Sequence, residues 1–198
     1  MPIVTLRDLY VAELQDLYDA EQQVLQELPG MAARATSGEL RSVFETHYEQ
    51  TQVHIERLDL LFRQLNERMY AAPCEAIRGL IREAHRRAAE AERGEVLDAA
   101  LIAAAQRIEH YEIAAYGCAR TYAQVLGDTE ARRLLQQTLD EEGQTDKKLT
   151  ALAEQVINID AAYAGADREL NRGAQRDVSD RSTGTSRTTG ATDASTGI

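Results

Sequence analysis

Several helices predicted for this chain carry carboxylates on the apolar stripe that should face a core. In the segment "RIEHYEIAAYG", Glu109 and Glu112 lie three residues apart inside an alanine-rich helical pattern. Glu21 and Glu142 interrupt the stripes of two other helices in the same way. Burying an unpaired carboxylate is costly, and no Lys or Arg lies on these stripes to neutralise the charges. A bound cation would resolve the conflict.

Imidazoles complete a set of possible metal ligands. His47 lies on the stripe of the second helix and His54 borders it, while Asp146 lies at the edge of the stripe of the last long helix. Counted from the connecting turns, these residues gather near the middle of a bundle. Carboxylates and imidazoles from four facing helices are typical of a dinuclear iron or manganese site. The candidate ligands are Glu21, His47, His54, Glu109, Glu112, Glu142 and Asp146.

The usual ligand pattern of such sites is incomplete here. That pattern has Glu-x-x-His on two helices, but Thr145 stands where a histidine would follow Glu142. A single stripe carboxylate can also turn to the surface if its helix rotates, and His47 alone would fit a hydrogen-bonded core histidine. Three independent rotations would be needed to expose Glu21, Glu112 and Glu142 together. The sequence therefore favours a metal site but leaves the individual ligands open.

The spacing of apolar residues predicts an all-α fold. The first helix should run from about Thr5 to Ala35, with a kink or restart near residues 25–28 caused by Pro29. "TSGE" has the spacing of a capping box led by Thr36, so the second helix should begin there and end near Asn66. These two helices form an antiparallel hairpin.

A second hairpin follows a long connection. Pro73 suits the first turn of a shorter helix that ends near Gly94. Two long helices should span residues 95–126 and 128–159, with Gly127 as a C-terminal cap and Asp128 as an N-cap. Two hairpins joined by a crossover that carries a short helix describe a ferritin-like four-helix bundle.

Composition bounds the domain and its partners. Residues 1–163 should form the bundle domain, and residues 164–198, rich in Ser, Thr, Gly and Asp, should be a disordered tail. A net charge of −11 without clustered Lys and Arg argues against nucleic acid as a partner. The longest apolar run, "AALIAAA", is far shorter than the roughly 18 residues that a membrane span needs. Two isolated cysteines, Cys74 and Cys118, fit a reducing cytoplasm.

Five segments together resemble the YciE/YciF-type bacterial stress proteins, a ferritin-like family. They are "LYDAEQQVLQELPGMA", "FETHYEQTQVHIERL", "CEAIRGLIREA", "DAALIAAAQRIEHYEIAAYG" and "LLQQTLDEEGQTDKKL". The resemblance covers about Leu6 to Ala161 and implies a four-helix bundle, a homodimer and a dinuclear metal site. It implicates Glu21, His47, Glu109, Glu112 and Glu142, with Asp146 nearby. Gly143 departs from the family's preference for a helix-favouring residue.

Two functions from different classes follow. The first is a cytoplasmic stress protein whose two iron ions, or two manganese ions, react with dioxygen or peroxide. Whether this would be an oxidase, a peroxidase or catalase-like enzyme, or iron oxidation alone is left open by the sequence. The second is a dimeric helical interaction or stress-protective protein whose polar core residues set the register of the bundle without catalytic metal chemistry.

Overall fold

The fold is helical throughout the part of the chain that is described. The structure, a computed structural model, describes residues 2–68 and 73–166. Its elements are α1 (Leu6–Arg34), α2 (Gly38–Leu65), α3 (Glu75–Glu90), α4 (Glu95–Val125), α5 (Thr129–Leu152) and a π-helical turn (Ala153–Ile157). Residues 158–166 are also helical. The predicted all-α class is confirmed, with no strand within the described ranges.

Side-chain caps mark where α1, α2 and α5 begin. The Asp128 side chain accepts a hydrogen bond from the Ala131 amide at 2.9 Å, as predicted for the start of α5. The α2 helix begins one residue later than the predicted capping box, because Ser37, not Thr36, accepts the bond from the Leu40 amide. The prediction for Thr36 was therefore wrong.

Thr36 has a different partner on α4. Its hydroxyl donates to Asp98 Oδ2 at 2.6 Å and its amide donates to Oδ1 at 2.8 Å. The Ser37 amide donates to Oδ2 at 2.8 Å. The buried Asp98 carboxylate thus ties the α1–α2 turn to the first turn of α4.

Pro29 and Pro73 affect the helices differently from the sequence prediction. The α1 helix continues through Pro29 to Arg34, so no restart occurs, and the proline lies on an exposed part of the helix. Pro73 precedes the N-cap Cys74 and lies outside α3, which ends at Glu90 rather than near Gly94. Helix boundaries of this kind depend on which backbone groups face solvent, which residue spacing does not reveal.

The four long helices pack in a closed ring. α1 contacts α2, α2 contacts α5, α5 contacts α4, and α4 contacts α1. The shorter α3 packs outside the ring against α4 and α1. Each hairpin therefore contributes both of its helices to one interior.

The core of the ring consists of two apolar clusters. One contains Val24, Phe44 and Leu101, and the other contains Leu14 and Phe62. Along α1, α2, α4 and α5 alike, buried polar residues occur between the residues that belong to the two clusters. We call this the polar layer; it contains Glu21, His47, Thr51, His54, Glu109, Glu112, Thr138, Glu142 and Thr145.

The chain divides into two units, of which the first ends at Ala161. Of the second unit, residues 162–166 are described and are helical. The predicted disordered tail, residues 164–198, otherwise lies outside the described residues. None of the described helices combines the length and the apolar character that a bilayer span requires.

Candidate metal centre

Six of the seven ligands predicted from the sequence lie together in the polar layer. They form two groups. In each group every residue offers one ligand atom, and these atoms all lie within 4.8 Å of one another. The groups share Glu142. The first consists of His47, Glu109, Glu112 and Glu142, and the second consists of Glu21, His54 and Glu142.

The first group surrounds the Nε2 atom of His47. This atom lies 3.2 Å from Glu109 Oε1 and 3.8 Å from Glu142 Oε2. The Nδ1 atom on the other side of the ring lies 3.5 Å from Thr145 Oγ1. Glu112 is fully buried, and neither of its carboxylate oxygens has a hydrogen-bond partner.

The second group surrounds the Nδ1 atom of His54. This atom lies 3.0 Å from Glu142 Oε1 and 3.3 Å from Glu21 Oε1. The buried Tyr116 hydroxyl donates a hydrogen bond to Glu21 Oε1 at 2.6 Å, which leaves Oε2 without a partner. Glu142 thus presents one oxygen to each histidine.

A surface ion pair orients the His54 ring from outside the layer. His54 Nε2 lies 2.9 Å from Glu141 Oε2. Arg57 holds this carboxylate through both of its oxygens, at 2.5 and 2.9 Å, and also donates to Thr138 at 3.0 Å. When Nε2 donates to Glu141, the lone pair of Nδ1 points into the layer, which is the tautomer that a metal ligand needs.

The protonation of the layer reflects crowded carboxylates. Burial, followed by the charge of Glu142, raises the pKa of Glu109 and of Glu112 well above the ordinary value. For Glu142, burial opposes ionisation, but the charge of His47 and the close contact with His54 outweigh it and lower the pKa to about 2. One carboxylate is therefore held ionised while its neighbours resist ionisation.

The surroundings of His54 favour its charged form. Burial disfavours its charged form, but the charge of Glu21, the hydrogen bond with Glu141 and the close contacts with Glu142 and Glu21 raise its pKa well above the usual value. The hydrogen bond from His54, opposed by burial and assisted by Arg57, lowers the pKa of Glu141 to about 2. In the absence of a metal ion, the surrounding carboxylates thus favour the charged form of His54.

The donor set fits a divalent cation. Buried atoms without hydrogen-bond partners include Glu21 Oε2, Glu109 Oε2, both oxygens of Glu112 and Glu142, His47 Nε2 and His54 Nδ1. Such atoms are costly to bury unless they coordinate something. Carboxylate oxygen and imidazole nitrogen are ligands that iron, manganese and zinc accept.

Asp146 lies outside both groups. Its Oδ1 atom accepts a hydrogen bond from Gln106 at 3.2 Å and lies 3.2 Å from Nε2 of the exposed His110. The sequence pattern placed it at the edge of the stripe, and a small rotation of α5 suffices to turn it outward.

Arg57 was not predicted to belong to the site. Its position one helical turn after His54 on α2 is the only sequence signal that connects the two residues. Helical periodicity alone could not identify Tyr116 as a hydrogen-bond donor to the site. Only the packing of α4 against α1 shows that its hydroxyl reaches Glu21.

Comparison with known proteins assigns the family. The family model described as "Domain of unknown function (DUF892)" matches residues 5–162. Protein YciF from Escherichia coli (strain K12) is 45% identical over 160 residues, which make up 80% of this chain and 96% of that protein. The chain belongs to the YciF-type DUF892 family.

Three solved structures share the helical fold. The crystal structure of the E. coli stress protein YciF has a TM-score of 0.75 at 42% identity and covers 79% of this chain and 99% of that chain. YcfI from Rhodopseudomonas palustris gives a TM-score of 0.73 at 43% identity, and the match covers 75% of this chain and 94% of that chain. A Xanthomonas campestris protein at 22% identity shares the fold alone, with a TM-score of 0.64. The match covers 84% of this chain and 99% of that chain.

Proposed function

We propose that this YciF-type chain is a ferritin-like four-helix bundle that binds two iron ions in its polar layer, with manganese as the alternative metal. The observation that carries the proposal is the position of Glu142, whose buried oxygens face one histidine each and lack hydrogen-bond partners. A carboxylate in this position suits a bridge between two cations.

Each donor group accounts for one ion. His47, Glu109, Glu112 and Glu142 would hold the first, and Glu21, His54 and Glu142 would hold the second. Two divalent ions would neutralise the carboxylates that now resist ionisation, and they would replace the proton of His54 as the positive charge. Because Nε2 of His54 is engaged by Glu141, the ring would already be oriented for the metal.

The chemistry of the bound metal gives the function. Two ferrous ions supply the electrons that reduction of dioxygen or peroxide requires, whereas the protein supplies geometry and a dry environment. We propose that the chain handles iron or reactive oxygen species in the cytoplasm as a homodimer. The relation to a protein described as the E. coli stress protein supports a role in stress.

Metal analysis tests the proposal. The full-length protein should take up two ferrous ions per chain in an anaerobic titration, and Glu142→Gln should lose both because it serves both groups. Asp146→Asn, on the same helix but outside the groups, is the matched control and should bind as the wild type does. Circular dichroism of both variants would show that the fold is retained.

A parallel titration with manganese, followed by an assay of oxygen release from peroxide, separates the alternatives. Manganese uptake with oxygen release from peroxide would indicate a catalase-like protein. A wild type that binds neither metal would contradict the metal site and favour the helical interaction protein. The oligomeric state in solution would then be measured to test that alternative.

A further inference from the structure

Two neighbouring cavities lie between the surface beside α3 and the His47 side of the polar layer. The outer cavity, of about 80 Å³, lies between α1, α3 and α4. The inner cavity, of about 10 Å³, borders His47 and Glu109. The buried side chains of Met31 and Ile108 line both cavities and separate them, and Glu27 also lines both.

The interior walls of the two cavities are apolar. Met31, Leu101 and Ile108 line the outer cavity, and Val24 and Leu28 line the inner one. All of these side chains are at most 8% exposed. These apolar walls offer no hydrogen-bond partner to a water molecule, which needs two to four of them in a buried site. Small apolar molecules are the ligands that such cavities take up.

The polar groups of the outer cavity engage one another at its mouth. Glu27 pairs with Nε2 of the exposed His85 at 2.7 Å. The Arg34 guanidinium donates to the Ala88 carbonyl at 2.5 Å. Both contacts join α1 to α3, so the crossover helix α3 covers the outer cavity.

We propose that the two cavities are the access passage and holding site for dioxygen at the His47 side of the metal centre. The proposal rests on the proposed function and deepens it by selecting the oxidant. Dioxygen enters an apolar space without losing hydrogen bonds, whereas peroxide would leave its hydrogen bonds with water behind. The flexible thioether of Met31 lies between the two cavities and can turn aside to let a diatomic molecule pass.

Gly30 offers a way to plug the passage without disturbing the fold. It lines the outer cavity, and a Cβ atom added there meets nothing within 4 Å. Both Ala and Phe have higher helix propensity than Gly, so neither substitution should weaken α1. Gly30→Phe is the plug and Gly30→Ala is the matched control. Ala84→Phe approaches the same cavity from α3 and provides a second plug.

Xenon binding to the metal-free protein tests the passage independently of any metal. Xenon resonances in solution should show a bound site in the wild type and in Gly30→Ala that is lost in Gly30→Phe and Ala84→Phe. A wild type that binds no xenon, or plugged variants that bind it as well as the wild type, would overturn the proposal.

Oxidation kinetics then test the role. Ferrous-loaded Gly30→Phe should keep its iron stoichiometry but react with dioxygen several-fold more slowly than Gly30→Ala, while its reaction with peroxide should be unchanged. Equal slowing with both oxidants would overturn the selection of dioxygen. Xenon binding in a wild type that takes up no iron would instead overturn the proposed function, and the passage would lose its role with it.

Discussion

The Nδ1 atom of His54 lies 3.0 Å from the Oε1 atom of Glu142, inside a bundle that otherwise buries apolar side chains at both ends. The opposite nitrogen of this ring is held by Glu141, the residue that precedes Glu142 on α5. Two successive carboxylates of one helix thus contact both nitrogens of one imidazole. This arrangement fixes the orientation of His54 before any ion arrives.

The ion pair outside the layer should govern metal affinity. Arg57→Met keeps an unbranched side chain on α2 but releases Glu141, so His54 loses the partner that sets its tautomer. We expect the affinity for the second ion to fall by about 10- to 100-fold. Competition titration with a metal chelator measures this loss.

Arg133→Met is the matched control for Arg57→Met. Arg133 also pairs with a glutamate, Glu130, but both side chains are exposed on α5 and lie outside the donor groups. Its metal affinity should equal that of the wild type. An Arg57→Met protein that retains full affinity at both positions would show that the ion pair has no part in the site.

The metal-free protein should lose stability as the pH rises. The folded-state pKa values of Glu109 and Glu112 lie above the ordinary value of 4.5, and that of His54 lies above 6.5. Groups with raised folded pKa values stabilise the fold below their unfolded pKa values, and this stabilisation is lost as the pH rises through the folded ones. Thermal unfolding between about pH 5 and about pH 8 should therefore show a falling midpoint.

The variant Glu112→Gln tests the origin of this slope. An amide cannot ionise, so the variant should unfold at a higher temperature than the metal-free wild type near neutral pH, with a flatter dependence on pH. Ferrous ion should stabilise the wild type more at high pH, because protons compete with the metal for the same carboxylates. A midpoint independent of pH in the wild type would contradict the crowding of charges in the layer.

The carboxylate that joins the two hairpins should matter for stability but not for metal. Asp98→Ala removes the acceptor of three hydrogen bonds from Thr36 and Ser37, and we expect a loss of about 1–3 kcal/mol in the free energy of unfolding. Urea denaturation measures the loss. Asp140→Ala, at an exposed position of α5, should change the stability by less than about 0.5 kcal/mol. Unequal iron stoichiometry of the two variants would contradict this division of roles.

Periodicity predicted the helices and most of the candidate site because both follow from one pattern. A residue at helical spacing from Leu17 and Val24 must share their face, so Glu21 could be placed in the interior from the sequence alone. The same reasoning placed Glu112 and Glu142. The family resemblance stated from the sequence is confirmed by the match over residues 5–162.

Contacts between helices could not be predicted in this way. Spacing could not show that Thr36 bonds Asp98 across 62 positions of sequence, so the capping box was assigned one residue too early. It could not show that Arg57 reaches Glu141, since that contact depends on how α2 packs against α5. Asp146, at the edge of its stripe, could have turned either way, and packing turned it outward.

The division of donors between the hairpins has a kinetic consequence. Glu21, His47 and His54 belong to the α1–α2 hairpin, whereas Glu109, Glu112 and Glu142 belong to the α4–α5 hairpin. Each donor group draws on both hairpins, so the hairpins could not separate without releasing the ions. Bound iron would therefore hold the two hairpins together. The hydrogen-exchange rates of backbone amides in both hairpins would decrease together when iron is loaded.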